Sequence, residues 1–178
     1  MKALARKPWG FMLIFLASIT LLITLLVPFQ TALIFYKENT NRIEMFLPVE
    51  EGDPFQLIFT HSIHLTDVVE KYEITDKKTI RQTEISFEEF AIGMPSNAQG
   101  DEQFTYEDGK YHIKNINQTF DQIKLRNGKV VSENRLVWGD GAHYRVYLND
   151  YVEPGAWFTL KVEDITLWQY LKGVEIHE

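Results

Sequence analysis

The chain has 178 residues, 45% of them hydrophobic and 24% charged, which suits one folded domain with a real core and leaves little room for two. Of its 18 basic residues three (Lys2, Arg6, Lys7) precede the first apolar run and every acidic residue follows it, so beyond residue 36 there remain 15 basic against 25 acidic residues, a net of −10. Such a surface repels phosphate backbones and argues against nucleic acid as a partner, and the absence of cysteine excludes disulfides, thiolate metal sites, cysteine nucleophiles and lipid-modified cysteine anchors.

From Pro8 to Tyr36 no side chain is charged, and the most apolar part, Phe11 to Phe29, is 19 residues long. As a helix rising about 1.5 Å per residue, that part matches a hydrocarbon core of about 30 Å while satisfying its own backbone. Trp9 at one end, with Phe35 and Tyr36 at the other, suits the two interfaces. A cleaved signal peptide is the competing reading, but the run is long for one, and Val27-Pro28-Phe29-Gln30 offers no small-residue cleavage site. The expected organisation is a cytoplasmic basic stub over 1–9, a transmembrane anchor over 10–36 and an extracytoplasmic β domain over 37–178. The location that follows is the cell membrane, single-pass, with the N-terminus inside and the lipid bilayer as partner of residues 10–36. Pro28 is expected to end or kink the helix near its outer end.

Beyond Lys37 the pattern is short runs of β-branched and aromatic residues bounded by turn residues. Strands are expected at 42–47, 55–63, 68–75 and 79–87, with Phe55, Leu57 and Phe59 sharing a face, as do Val68, Tyr72 and Ile74. In the fourth strand, Ile85 and Phe87 are expected on one face with Ile80 opposite. Asp108-Gly109 and Asn127-Gly128 read as two-residue hairpin turns, and Gly139-Asp140-Gly141 joins a third pair. GAWFTLKV is a last strand, after which Asp164 is expected to cap a short helix that ends at Gly173. The fold class is mainly β: an antiparallel β-sandwich or small barrel with a short C-terminal helix, preceded by one N-terminal transmembrane helix.

The segment FTHSIHLTDVVEKYEI, residues 59–74, concentrates the chemistry. His61 and His64 are three apart and point to opposite faces of a strand, so they share a metal only if the chain turns between them, with Asp67, Glu70, Asp140 or His143 as further ligands. Ser62 with His61 or His143 would form a nucleophilic pair, but no G-x-S-x-G elbow surrounds the serine. Glu70 with Glu88 or Glu89 would form a carboxylate pair of unfixed separation. The structural reading is a polar turn in which Thr60, Ser62 and Thr66 hydrogen-bond the backbone. A second segment, FEEFAIGMPS at 87–96, reads as a shaped loop through Gly93 and Pro95. Asn117-Gln118-Thr119 fits a glycosylation acceptor.

Two stretches carry a family resemblance. F-T-H-S-I-H-L-T-D-V-V-E-K-Y from Phe59 to Tyr72, followed by F-E-E-F-A-I-G-M-P from Phe87 to Pro95, resembles domain-of-unknown-function family 1850. The matching positions are Phe59, His61, Ser62, Thr66, Glu70, Tyr72, Phe87, Phe90, Gly93 and Pro95; His64 departs, standing where an acidic residue is expected. Proteins of this kind are similar in plan, with one N-terminal membrane segment and a small exterior domain, and are often encoded beside TRAP transporters of the TAXI type. The resemblance therefore implies an accessory role in solute uptake, in contact with a TRAP membrane subunit or a substrate-binding protein. His61, Ser62, Thr66, Glu70, Gly93 and Pro95 become the candidate ligand or partner contacts, with no catalytic residue, metal or cofactor assigned. The alternative is a surface hydrolase or metal-dependent enzyme centred on His61, Ser62, His64 and Glu70.

Overall fold

Pro28 divides the apolar N-terminal stretch into two different structures. In a computed structural model that describes residues 9–90, 94–131 and 133–177, α1 (Trp9–Leu26) is a helix and β1 (Pro28–Lys37) follows at once as a strand. Proline lacks the amide proton that the helix ladder needs, and it disfavours helical geometry in the residue before it. α1 is roughly 27 Å long at 1.5 Å per residue, buries none of its side chains, and is long and apolar enough to cross a membrane. The hydroxyls of Ser18, Thr20 and Thr24 donate to carbonyls four residues back at 2.9, 3.0 and 2.9 Å, so their polarity is satisfied within the helix. Lys2, Arg6 and Lys7 lie outside the described residues.

The helix thus ends at Leu26, short of the 10–36 span expected for the anchor. The apolar character of residues 28–36 has another cause. Ala32, Leu33, Ile34 and Phe35 are all 0% exposed. Leu33 and Phe35 belong to the main core, whereas Ala32 and Ile34 pack with Phe46, Ile165 and Tyr170. A strand covered on both faces reads as a continuous apolar run rather than an alternation, and in a sequence it joins seamlessly onto a membrane segment.

The remaining strands are β2 (Ile43–Pro48), β3 (Pro54–Thr60), β4 (Asp67–Ile74), β5 (Ile80–Phe87), β6 (Gln103–Glu107), β7 (Lys110–Phe120), β8 (Ile123–Arg126), β9 (Arg135–Trp138), β10 (Tyr144–Tyr147) and β11 (Trp157–Thr166), before α2 (Leu167–Lys172). They form a four-stranded sheet, β2-β1-β11-β8, and a seven-stranded sheet, β10-β9-β3-β4-β5-β7-β6, both antiparallel throughout. The main core lies between them, with Phe35, Met45, Phe158 and Leu160 from the small sheet meeting Phe55, Leu57, Tyr72 and Leu136 from the large one. Each sheet ends in edge strands, so the sandwich is realised and no barrel closes. A separate cluster of Val68, Ile85, Phe87 and Ile113 occupies the same face of the large sheet, where Met94 packs against it from the segment after β5.

Several expectations hold and three change. The Asp108-Gly109 hairpin forms, with Glu107 paired to Lys110 and both turn residues at positive φ (51° and 79°). β9 and β10 pair as expected, Trp138 opposite Tyr144. In β5, however, Ile80 lies on the same face as Ile85, because a bulge at Thr83 inserts one residue between the pairs Gln82–Tyr72 and Glu84–Lys71 and shifts the alternation by one. Asn127-Gly128 is not a hairpin turn. β8 pairs with β11, and the fully buried Asn127 side chain donates from Nδ2 to Asn149 Oδ1 at 2.8 Å while its main chain bonds Ala156 and Gly155, so it ties a neighbouring loop down. Asp164 stays in β11, bonded by Thr31 and Lys78, and Thr166 caps α2 through a reciprocal pair with Gln169.

Candidate functional site

β3 and β4 are joined by residues 61–66, which continue the ladder for one pair and then fold back. His61 N donates to Thr66 O at 2.8 Å, and Leu65 N donates to His61 O at 2.9 Å, closing a five-residue turn. Leu65 completes it at φ +58°, a left-handed conformation that costs an L-residue with a γ-branched side chain roughly 1–2 kcal/mol and that glycine or asparagine would adopt more readily. The His61 Nδ1 accepts from Ile63 N at 3.3 Å, and the two imidazoles stack with centroids 5.5 Å apart. The turn carries Ile63 and Leu65 into solvent, 65% and 66% exposed.

Both ends of this turn are fixed from outside it. At its base, Arg135 on β9 and Thr60 both donate to Asp67 Oδ1, the latter at 3.0 Å. Burial works to raise the Asp67 carboxyl, but the hydrogen bonds and charge of Arg135, with Thr60, outweigh it and hold the group below the ordinary carboxylate range. On its flank, the His64 Nδ1 meets the Glu89 carboxylate, which joins the turn to the segment after β5. Phe90 in that segment is exposed and lies 4.4 Å from Tyr111, which also touches Tyr106 (4.7 Å) and Phe104 (5.8 Å). Ile63, Leu65, Phe90 and Tyr106 are thereby exposed on neighbouring parts of one end of the large sheet.

The predicted residues divide into three groups. His61, Ser62 and Thr66 share the turn. Glu70 lies four residues further along β4, roughly 13 Å at about 3.3 Å per residue, and belongs to the inner face, opposite Leu57 and Ile85. Pro95 follows Met94 in the segment that covers the second cluster, and Gly93 lies outside the described residues. Ser62 is exposed, and among the described residues no hydrogen bond joins it to a histidine or an acid. Among the described residues there is also no group of three or more His, Asp or Glu side chains placed to hold a metal ion. His143 sits at the β9–β10 turn against Tyr144, beside the end of β3 opposite to His61.

Glu70 is the chemically unusual member. Its Oε2 accepts from Tyr72 Oη at 2.9 Å, and among the described residues no cation pairs with it. Desolvation between two apolar clusters raises its carboxyl above the ordinary range, opposed only by the Tyr72 bond, and the same burial and the adjacent charge push the Tyr72 phenol up. Glu84, on the opposite face of the same sheet, has the reverse surroundings. Lys71 Nζ and His112 Nδ1 each lie 2.9 Å from its carboxylate, and these bonds outweigh partial burial and lower its pKa. The sequence segment pointed to Glu70, but the partners Glu89, Arg135 and Glu84 are set by strand order, and their spacing in the chain carries no signal of it. A polar groove of about 620 Å³ lies elsewhere, on the outer face of the small sheet between Tyr36, Asn41, Lys124, Lys161 and Gln169, and none of the predicted residues lines it.

Fold and site together define a small antiparallel β-sandwich carried on an apolar helix, with an apolar, histidine-bearing turn at one end. The family model for Domain of unknown function (DUF1850) matches residues 55–144, just over half of the chain and the part that contains the turn, and the protein belongs to that family. The matched segment runs from the start of β3 to the start of β10, leaving α1, β1, β2, β11 and α2 outside. No curated protein and no solved structure matches the chain.

Proposed function

We propose that this protein is a membrane-tethered exterior module that docks a protein partner through the β3–β4 turn and the segment after β5. The observation that carries the reading is Leu65, an exposed leucine held in a left-handed conformation at a turn apex beside exposed Ile63. Backbone strain of that kind persists where the fold over-determines it, and an apolar side chain in water returns nothing to the isolated domain. A partner that covers Ile63, Leu65 and Phe90 would gain roughly 1.5–3 kcal/mol for each large side chain it fully buries. Charge is kept to the flank, where His64 and Glu89 pair, an arrangement that favours an apolar contact with a polar rim.

The tether is α1. Twelve large apolar side chains on it are exposed, and leaving them in water would cost on the order of 20–35 kcal/mol, more than a small domain's whole stability. Lipid is the natural cover for a charge-free helix of this length. Lys2, Arg6 and Lys7 before the helix favour a cytoplasmic N-terminus, which would put the sandwich outside. The resemblance noted in the sequence makes a TRAP membrane subunit of the TAXI type, or its substrate-binding protein, the partner to seek first. Purification of the full chain in mild detergent should recover that partner, and Ile63→Asp with Leu65→Asp should abolish recovery without lowering the melting temperature. Recovery of no transporter component, or recovery undiminished by the double substitution, overturns the proposal.

A further inference from the structure

α2 is short, yet both its ends and its inner face are fixed. Thr166 and Gln169 cap each other at its start, with Gln169 N donating to Thr166 Oγ1 at 3.2 Å and Thr166 N to Gln169 Oε1 at 2.9 Å. At its end Gly173 lies so close to Phe46 that a Cβ there would sit 2.9 Å from the ring. The chain then runs beside β2, with Phe46 N donating to Val174 O at 2.9 Å and Ile176 N to Phe46 O at 2.8 Å. Tyr170 faces inward onto Phe46, at 5.2 Å between ring centroids. The opposite face therefore cannot turn inward. It presents Trp168 (47% exposed) and Leu171 (67% exposed), three residues apart and so on one side of the helix, with Val174 (53% exposed) just beyond.

Position identifies what covers this face. α2 contacts α1, and Phe29, 56% exposed immediately after the helix, packs its ring on Tyr170 at 5.9 Å. If α1 spans the bilayer, α2 lies where the chain leaves the lipid. Its composition fits that depth: the Lys172 ammonium stands 4.1 Å above the Trp168 ring, and Arg42 joins both in lining one recess. Indole and ammonium together suit the layer in which apolar bodies sink while charged tips reach phosphate. Glu44 beside Arg42 and Glu175 beside Tyr170 are the acids nearby, each already engaged by that neighbour.

We infer that α2 is a second membrane contact: Phe29, Trp168, Leu171 and Val174 enter the interfacial layer of the leaflet from which α1 emerges, while Lys172 and Arg42 meet its lipid phosphates. The inference rests on α1 being the anchor. One attachment by a single helix leaves the sandwich free to swing; a second contact beside it would fix the sandwich's tilt and with it the direction in which the β3–β4 turn points.

The absence of cysteine makes a direct test simple. Single substitutions Leu16→Cys, Val130→Cys, Leu171→Cys and Val174→Cys in the full chain each take one nitroxide label, and the protein is reconstituted into phosphatidylcholine–phosphatidylglycerol liposomes. Positions 171 and 174 should fall between 130 and 16 on α1, relaxed more by lipid-soluble oxygen and less by a water-soluble nickel chelate than position 130 is. Position 130, 91% exposed in a loop, is the water-exposed reference. Nickel access at 171 and 174 equal to that at 130, with 16 still in lipid, overturns the inference and leaves the anchor standing. Exclusion of both reagents at 171 and 174 means that protein covers the face, which also overturns it. Nickel access at 16 removes the anchor itself.

Discussion

Replacing Phe35 by alanine separates the two readings of the apolar run that ends at Tyr36. If residues 28–36 lay in lipid, Phe35→Ala would leave the melting of the sandwich unchanged. In the structure Phe35 is fully buried between the sheets, paired across the strands with Leu160 and Met45, its ring centroid 5.8 Å from that of Phe158. Removing a buried phenylalanine leaves a cavity in a packed core and costs roughly 3–5 kcal/mol, about a third or more of the stability of an ordinary domain. For a domain of this size, where each kcal/mol shifts the midpoint by about 2–4 °C, the loss should lower the melting temperature by roughly 6–20 °C. Thermal melting of the full chain in mild detergent, followed by circular dichroism in the β region, measures it. Leu16→Ala on α1 is the control, since that side chain is 60% exposed, and it should stay within about 0.5 kcal/mol of the parent. A Phe35→Ala protein that melts within about 2 °C of the Leu16→Ala control would refute the placement of β1 in the core.

Further predictions follow from the carboxylates and from α2. Glu70→Gln should stabilise the domain at pH 7 and make no difference near pH 4. The folded-state pKa is raised, so the stability that neutral Glu70 contributes is complete below the unfolded pKa and is lost as pH rises through the folded one; urea midpoints whose difference grows toward acid would contradict this. Glu84→Gln should do the opposite, costing roughly 1 kcal/mol at neutral pH for a partly exposed pair, with the deficit closing as pH falls through the depressed folded pKa. Gly173→Ala should cost about 1–3 kcal/mol by forcing Phe46 or α2 to move, and hydrogen exchange should quicken relative to the parent at the amides of residues 173 and 176 but not at those of β4; an unchanged pattern would mean that the approach is not tight.

Strand existence was legible because it depends on local chemistry. β3, β4, β9 and β11 arise where β-branched and aromatic residues alternate between turn formers, and Asp108-Gly109 accepts the positive φ angles that a two-residue hairpin demands. The same pattern indicated a mainly β domain behind one apolar helix, and the residues from Phe59 to Tyr72 and from Phe87 to Pro95 pointed to the family. The turn after β3 was legible in part, since a polar turn was expected around Thr60 to Thr66, but the strand expected to run to Ile63 stops at Thr60.

What the tertiary structure decided depends on neighbours distant in the chain. β1 looked like membrane because a strand buried on both faces has the composition of a lipid-facing helix, and only the outer-face cluster of Ala32, Ile34, Phe46 and Ile165, packed against Tyr170 of α2, separates the two. The phase of β5 depended on a bulge at Thr83, and the role of Asn127 on the buried partners that outcompete a turn. Glu70 and Glu84 are alike in sequence, yet opposite faces of one sheet give one a desolvated pocket and the other a lysine and a histidine as hydrogen-bond partners. Side-chain alternation assigns a residue to a face, but which face meets the second sheet is settled only when the sheets pack.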